Sequence, residues 1–334
     1  MTFAKEPDIM TLSRRGLGAA ALSGLAAPAF AQAPWPNAQP IRLVVPFAPG
    51  GTTDIIARIL SAELSRRIGQ TVLVENRPGA GGTLGTGQVA RAAPDGYTLV
   101  LSLISAMVVG KVLYGDRAAW SPDRDFAQVA MVMSTPYLIL VRPDLPIRSL
   151  AELVAEARRR PDGLSYGTSG TGGMPHLVMV RFLQAAGIQM THVPYRGAAP
   201  VVTDIAAGVL PMMVDSLTAA SANIRSGALR ALAHTWPERV PAFPDIPTFR
   251  EEGFADLVVD GWSGIAAPTG TPRPILERLA QAVRETLATP EVQRRYAETA
   301  TAPGRLFLDD AQRFVREEIA TWTPIIRASG ATVD

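Results

Sequence analysis

Two glycine-rich turns, one in each half of this 334-residue chain, constrain its fold more than any other feature. They are Pro46-Phe47-Ala48-Pro49-Gly50-Gly51-Thr52-Thr53-Asp54 and Tyr166-Gly167-Thr168-Ser169-Gly170-Thr171-Gly172-Gly173. Each joins a predicted strand to a predicted helix. The first follows the β-branched, apolar run Ile41-Arg42-Leu43-Val44-Val45 and precedes Ile55, Ile56, Ile59 and Leu60, which recur as on one helix face. A helix is predicted from about Thr53. The first amides of a helix have no partner inside it and point, with the positive end of the dipole, toward the preceding turn, which suits an anion. Two such ends facing one another grip a carboxylate from both sides without calling on a catalytic residue.

The first thirty-one residues read as a cleaved export leader. Ser13-Arg14-Arg15-Gly16-Leu17 opens an uncharged, small and apolar run to Phe30, and Ala29-Phe30-Ala31 closes it. The paired arginines suggest the twin-arginine route, with general secretion as the alternative. The run is too short and too rich in Ala and Gly for the roughly 20 strongly apolar residues of a membrane span. Removing Lys5, Arg14 and Arg15 together with Glu6 and Asp8 lowers the formal charge from +2 to +1. A nearly neutral chain without a basic block makes nucleic acid an unexpected partner. There is no cysteine, so disulfides, thiolate metal sites and a lipid-anchored cysteine are excluded. Expected in their place are a small organic acid and a membrane permease as partners, no cofactor, no metal and a monomeric state.

The order of predicted elements is α/β. A strand at 71–75, a Pro-Gly turn at 76–82, a helix to about Ala92 and a strand at 97–103 follow the first unit. A strand at 137–141 and a helix at 150–160, capped by Ser149 with Glu152 three residues on, lead into a second alternation. That block has strands at 164–166, 190–195, 210–216 and 229–235, with helices near 175–186, 199–207 and 217–225. Proline-rich 240–247 reads as a crossing. A bent strand at 257–267 and helices at 272–287, 290–300 and 309–328 then return to the first block. Two domains are expected, one discontinuous (32–138 with 246–334) and one at 139–245, each a mainly parallel sheet flanked by helices. A chain that crosses its junction twice suits a hinged ligand cleft.

These segments resemble the Bug-type (TctC-like) solute receptors of tripartite tricarboxylate transport systems. The resemblance runs through Ile41 to Arg58, Val74-Glu75-Asn76-Arg77-Pro78-Gly79-Ala80-Gly81-Gly82, Tyr166 to Gly172 with His176-Leu177, His192-Val193-Pro194-Tyr195-Arg196-Gly197, Leu229 to Ala233 and Gly270-Thr271-Pro272. It covers nearly the whole mature chain. It implies a type II-like periplasmic-binding-protein fold and capture of a carboxylate, partly through water, between Phe47–Asp54 and Thr168–Thr171. The candidate ligand-binding residues are Phe47, Ala48, Gly50, Gly51, Thr52, Thr53, Asp54, Ser105, Ala106, Thr168, Ser169, Gly170, Thr171, His176, Tyr195 and Asp215. Where the family commonly has a polar run, this chain has Ser105-Ala106-Met107-Val108-Val109-Gly110. That departure implies a ligand with an apolar or aromatic body.

Plainer readings stand beside these. Gly50 and Gly51 serve a tight turn, and Thr52, Thr53 and Asp54 cap a helix, with or without a ligand. His176 either helps hold a carboxylate or packs against its turn, while His192 and His234 read as structural. Asp215 and Ser216 end a strand, where ligands gather in open α/β sheets. A buried Asp215 repels a carboxylate unless it meets an amino group, a hydroxyl or water. Trp262 is core or cleft wall. An exported hydrolase using Ser169 fails because the G-x-S-x-G elbow needs glycine where Thr171 stands. Gly85-Thr86-Gly87-Gln88-Val89-Ala90 matches only the loosest dinucleotide fingerprint and does not open from a strand. A sensory subunit binding the same acid is the alternative to a transport receptor.

Overall fold

β-branched and apolar segments form the sheet, and the amphipathic segments between them cover it. The computed structural model describes residues 1–2, 35–161 and 163–328, so the expected leader falls, from residue 3 on, outside the described residues. Strand β1 (Ile41–Val45) lies between β2 (Val72–Asn76) and β3 (Thr98–Leu103), parallel to both. Helices α1 (Thr52–Ile68) and α2 (Thr83–Ala90) connect them. Gly69 ends α1 in the left-handed region at φ 77°, returning its N–H to Ser65 O, the role glycine fills at helix C-termini.

After β3 the apolar stretch Ser105–Gly110 forms a π-helix, buried throughout, that runs into α3 (Lys111–Tyr114). Short helix α4 (Pro122–Asp125) leads into β4 (Phe126–Val141), which at sixteen residues is far longer than the predicted strand at 137–141. The second alternation follows: α5 (Leu150–Arg159), β5 (Ser165–Thr168), α6 (Met174–Ala186), β6 (Thr191–Pro194), α7 (Ala198–Ala206), β7 (Met212–Ser216), α8 (Leu217–Arg225) and β8 (Arg230–His234). Ser149 caps α5 by accepting from Glu152 N–H at 3.1 Å, as predicted. The Glu152 carboxylate reaches one residue further back than a capping box requires, to Arg148 N–H at 2.6 Å. The chain returns through β9 (Asp260–Pro268), α9 (Arg273–Leu287), α10 (Pro290–Glu298), the two-residue β10 (Ala302–Pro303) and α11 (Leu308–Ala328).

The strands make one mixed sheet in the order β2-β1-β3-β9-β4-β7-β5-β6, with β8 and β10 also on β4. The predicted parallel alternation occupies both arms, β2-β1-β3 and β7-β5-β6. The centre is antiparallel, because β9 comes back between β3 and β4. From Phe126 to Pro136, β4 pairs with β9; from Tyr137 to Val141 it pairs with β7 and β8. Pro136 stands at the change of partner, where the missing N–H of a proline is tolerated. Two register shifts against β9, at Gln128/Ala130 and Met131/Met133, bend the strand. One core cluster packs α1, α9 and α10 against the first arm, and another packs α7 and α8 against the second.

The strand β10 is held on this bent region: Tyr296 donates its buried hydroxyl to Val132 O at 3.1 Å, and Gly304 N–H donates to the same oxygen at 3.1 Å. A Cβ at Gly304 would stand 2.1 Å from Met131 O and 2.2 Å from Met131 C, both backbone atoms. Gly304→Ala is therefore expected to destabilise the protein by about 1–3 kcal/mol, the usual cost of overpacking. Chemical denaturation checks this; an unchanged midpoint would contradict the close approach of β10 to β4.

Candidate functional site

A cavity of about 100 Å³ opens where the two glycine-rich turns meet the antiparallel centre of the sheet. Phe47, Ala48, Gly51, Thr52 and Thr53 of the first turn and Ser169 of the second line it, with Ser105 after β3 and Asp215 at the end of β7. Gly50 lines a second cavity of about 250 Å³, which shares Asp215 and Ala198 with the first. The turns at 46–54 and 167–173 thus converge on one region.

The electrostatics of the first turn come from the start of α1. Its N-cap, Gly51, provides no capping side chain, and the first amide to find a helical partner is Ile55 N–H, on Gly51 O at 3.0 Å. Asp54 does not face the cavity. Its carboxylate accepts from Gly50 N–H at 3.0 Å, from Arg58 Nε at 3.0 Å and from Asn76 Nδ2 at 3.1 Å, so it braces the turn from behind. Burial pushes this carboxyl up, but the bonds from Arg58, Gly50 and Asn76 together outweigh burial and hold it below the usual range. Asn76 also donates to Phe47 O at 3.1 Å, tying β2 to the same turn.

The second turn is braced by imidazoles. His176 Nδ1 accepts from Gly172 N–H at 3.2 Å. Thr168 Oγ1 donates to Gly170 O at 3.0 Å and pairs with His192 Nε2 at 2.8 Å, so the imidazole supplies that hydrogen. The two rings stack with centroids 4.0 Å apart, and Tyr166 stacks on His192 at 5.1 Å. Burial lowers the pKa of His176; burial, then the neighbouring His176, brings His192 down to about 4. Both rings are therefore neutral at pH 7, and for His176 the accepting Nδ1 requires it. Thr168 and His176 are buried behind the wall, and neither the half-exposed Gly170 nor the exposed Thr171 lines the cavity. The Tyr195 hydroxyl donates to Asp204 at 2.6 Å rather than lining the cavity. Ala106 is buried against Gly82, where an added Cβ would lie 3.2 Å from it.

The opposite wall comes from elements of which the sequence marks only Trp262, as core or cleft wall. Met133, Thr135 and Tyr137 on β4 and Gly261, Trp262 and Ser263 on β9 line the cavity. Gly261 is required there, since an added Cβ would come within 2.8 Å of the Tyr137 ring. Trp262 is cavity wall and core together: it is 3% exposed and donates Nε1 to Glu318 Oε2 of α11 at 2.8 Å. Of the apolar run after β3, only Ser105 reaches the cavity, so Ala106 to Gly110 serve the core. The signal for β9 was the pair of glycines within it, Gly261 and Gly264. For β4 before the predicted strand at 137–141 there was none, because Pro136 reads as a strand end.

Bonds also pass between the two arms around the cavity. Thr52 and Ser216 share a short hydroxyl–hydroxyl hydrogen bond, and Met174 N–H donates to Ser105 Oγ at 3.3 Å. On the far side, Thr218 of α8 bonds to Thr135 of β4 at 3.0 Å and to Thr301 at 2.7 Å. Asp215 is 7% exposed and accepts one hydrogen bond, from Ser216 N–H at 2.8 Å. Burial, only partly offset by that bond, pushes its carboxyl up to about 7. No group of three metal-ligating side chains occurs among the described residues.

Residues 56–331 match the profile of the tripartite tricarboxylate transporter family receptors. Protein BugT of Bordetella pertussis is 35% identical over 311 residues, covering 93% of this chain and 95% of that one. The periplasmic binding protein BugD is 34% identical, with a TM-score of 0.83 over 88% of this chain and 98% of that chain. The Rpa4515 protein of R. palustris, solved with adipate, is 34% identical, with a TM-score of 0.85 over 89% of this chain and 99% of its own. The convergent turns, the mixed sheet and these likenesses agree: the chain belongs to the receptor family of tripartite tricarboxylate transporters.

Proposed function

We propose that this receptor captures a small organic acid with an apolar body in the periplasm and presents it to a membrane permease, doing no chemistry of its own. The observation that carries this reading is the uncapped start of α1, open to a cavity whose other walls are largely apolar. A carboxylate there accepts charge-assisted bonds from the first-turn amides and from Thr52 and Thr53. A helix end adds about 0.3–1 kcal/mol, or up to about 2 when partly buried. The adipate held by a relative supports a carboxylate as the ligand. Phe47, Leu103, Ile104, Met133 and Trp262 favour an apolar body over a polyhydroxy one.

The division into lobes at 32–138 with 246–334 and at 139–245 belongs to the same proposal. Its motion is a hinge in β4 near Pro136 and in the return before β9, and the Thr52–Ser216 and Ser105–Met174 bonds are those of the closed form. A leader cleaved near Ala31, of the twin-arginine type, would deliver the monomeric protein to the periplasm. Hydrolysis finds no support: Ser169 lines the cavity, but the imidazole nitrogens His176 Nδ1 and His192 Nε2 are committed to Gly172 and Thr168.

Two outcomes follow. Gly51 has φ −84°, and a Cβ there would meet nothing nearer than Ala48 O at 4.0 Å. Gly51→Leu should therefore fold with a melting temperature close to wild type yet bind acids at least about a hundredfold more weakly, a loss of about 2.7 kcal/mol. Calorimetry with apolar monocarboxylates and citrate reads both parts; unchanged affinity in the variant, or citrate binding best to wild type, would overturn the placement or the ligand class.

The second outcome concerns pH. The His192 pKa is depressed from 6.5 to about 4, so its contribution to stability is full above pH 6.5 and is lost as pH falls toward 4, where the unfolded chain takes up the proton first. Other groups titrate in this window, and Asp215, whose pKa is raised, works in the opposite sense. The comparison is therefore with His192→Gln, which keeps an N–H donor for Thr168. Melting curves from pH 7.5 to 4.5 should show wild type losing stability relative to the variant; a constant difference would refute the neutral ring.

A further inference from the structure

We infer that the cavity is built for a zwitterion: an organic acid carrying an ammonium group close to its carboxylate, with that ammonium held by Asp215. The inference rests on the carboxylate-capture reading above and narrows it.

The geometry supplies the case. Asp215 is 7% exposed on the wall common to both cavities, and Gly50 lines the second of them, so the carboxylate stands beside the first turn. Its neighbour Ser216 is bonded across to Thr52 of that turn. Among the described residues, Ser216 N–H at 2.8 Å is its one hydrogen-bond partner. No lysine, arginine or histidine among the described residues lines either cavity. The nearby Asp54 shows what a satisfied carboxylate in this fold looks like, with Arg58, Asn76 and Gly50 all donating to it. Asp215 is instead a buried acid facing a cavity without a counter-charge.

The groups packed around it supply no cation either. From β4 the titratable neighbour is Tyr137, a phenol whose pKa is raised by burial and then by Asp215 and Asp260, so it stays neutral. On β5, Gly167 pairs with β7 and has no side chain. From α7 come Ala198 and Val202, and from α8 the neutral Asn223. On the first turn, Asp54 is turned away toward Arg58.

Charge balance then selects the ligand. The starts of α1 and α6 each count for about half an elementary positive charge. Together they offset one carboxylate. A ligand carboxylate and an ionised Asp215 make two, in a site where unpaired charge is costly. An ammonium group on the ligand restores balance and keeps Asp215 ionised. A second carboxylate makes the imbalance worse. The tendency of the Asp215 carboxyl to titrate near neutrality agrees with an acid lacking its cation.

Matched pairs test this by calorimetry at pH 7 on the protein and on Asp215→Asn: phenylalanine with 3-phenylpropanoate, leucine with 4-methylpentanoate, and proline with cyclopentanecarboxylate, with adipate for comparison. The expected result is that the acids bound by wild type are the ammonium-bearing ones, at least tenfold tighter than their partners and than adipate. Asp215→Asn should cost those acids at least tenfold and remove the preference. Should that substitution impair folding, the same acids are measured on Asp215→Ser. Equal or tighter binding of the plain acids or of adipate would remove the zwitterion and leave carboxylate capture standing. The same holds for plain acids that bind with uptake of one proton and weaken as pH rises above 7, which would make Asp215 a neutral donor. Failure of every amino acid to bind also overturns the inference, and failure of every acid of either kind overturns the carboxylate reading with it.

Discussion

An α-helix cannot satisfy its own first amides, and in this fold those of α1 are left without a side-chain cap beside an apolar cavity. Everything around the site bears on that one deficit. Asp54, which could have curled back as a cap on the amides of its own turn, instead pins Gly50 N–H and is itself held by Arg58 and Asn76. The turn is rigid on its outer side and unsatisfied on its inner one. Rigidity of this kind matters for affinity because the donors need not be ordered when the anion arrives.

The second turn reaches the same end by different chemistry. Its brace is a stack of neutral rings, Tyr166, His192 and His176, anchoring Thr168 and Gly172. A charged brace like Arg58 would sit in the core of the second arm without solvent, where its desolvation would be large. The imidazoles hold the backbone by hydrogen bonds alone and add no field of their own, so the polarity at the mouth of the cavity remains that of the amides.

The alternating arms were legible because each strand–turn–helix unit carries its own punctuation: β-branched runs, Gly-Gly or Pro-Gly turns, a Ser149 cap. The spacing predicts a helix near 217–225, and α8 spans Leu217–Arg225. What escaped was the centre. Residues 126–136 lack alternation because both faces of β4 are buried, and Pro136 looks like a terminus although it marks only the change from β9 to β7 as partner. One side of the cavity wall, Met133, Thr135 and Tyr137 with the facing Gly261 to Ser263, therefore lies outside the candidate residues. Conversely, Thr168 and His176 were named because they neighbour the turn, and adjacency along the chain does not say whether a side chain faces the cavity or supports it from behind.

Asp54 and Asp215 make the same distinction in physical terms. Both are buried carboxylates at the edge of the site, and the sequence marks each by its place at a strand or helix end. One has three donors, one of them the cation Arg58, so the protein has already completed it; the other has one backbone N–H. A fold tolerates such an acid when its burial is offset by proton uptake in the empty state or by a partner arriving from outside. The Thr52–Ser216 bond ties the strand end that carries Asp215 to the start of α1, and Asp215 lines the same cavity as Gly51, Thr52 and Thr53. A ligand that satisfies both sets at once must touch both arms, which is the differential contact that the proposed hinge requires.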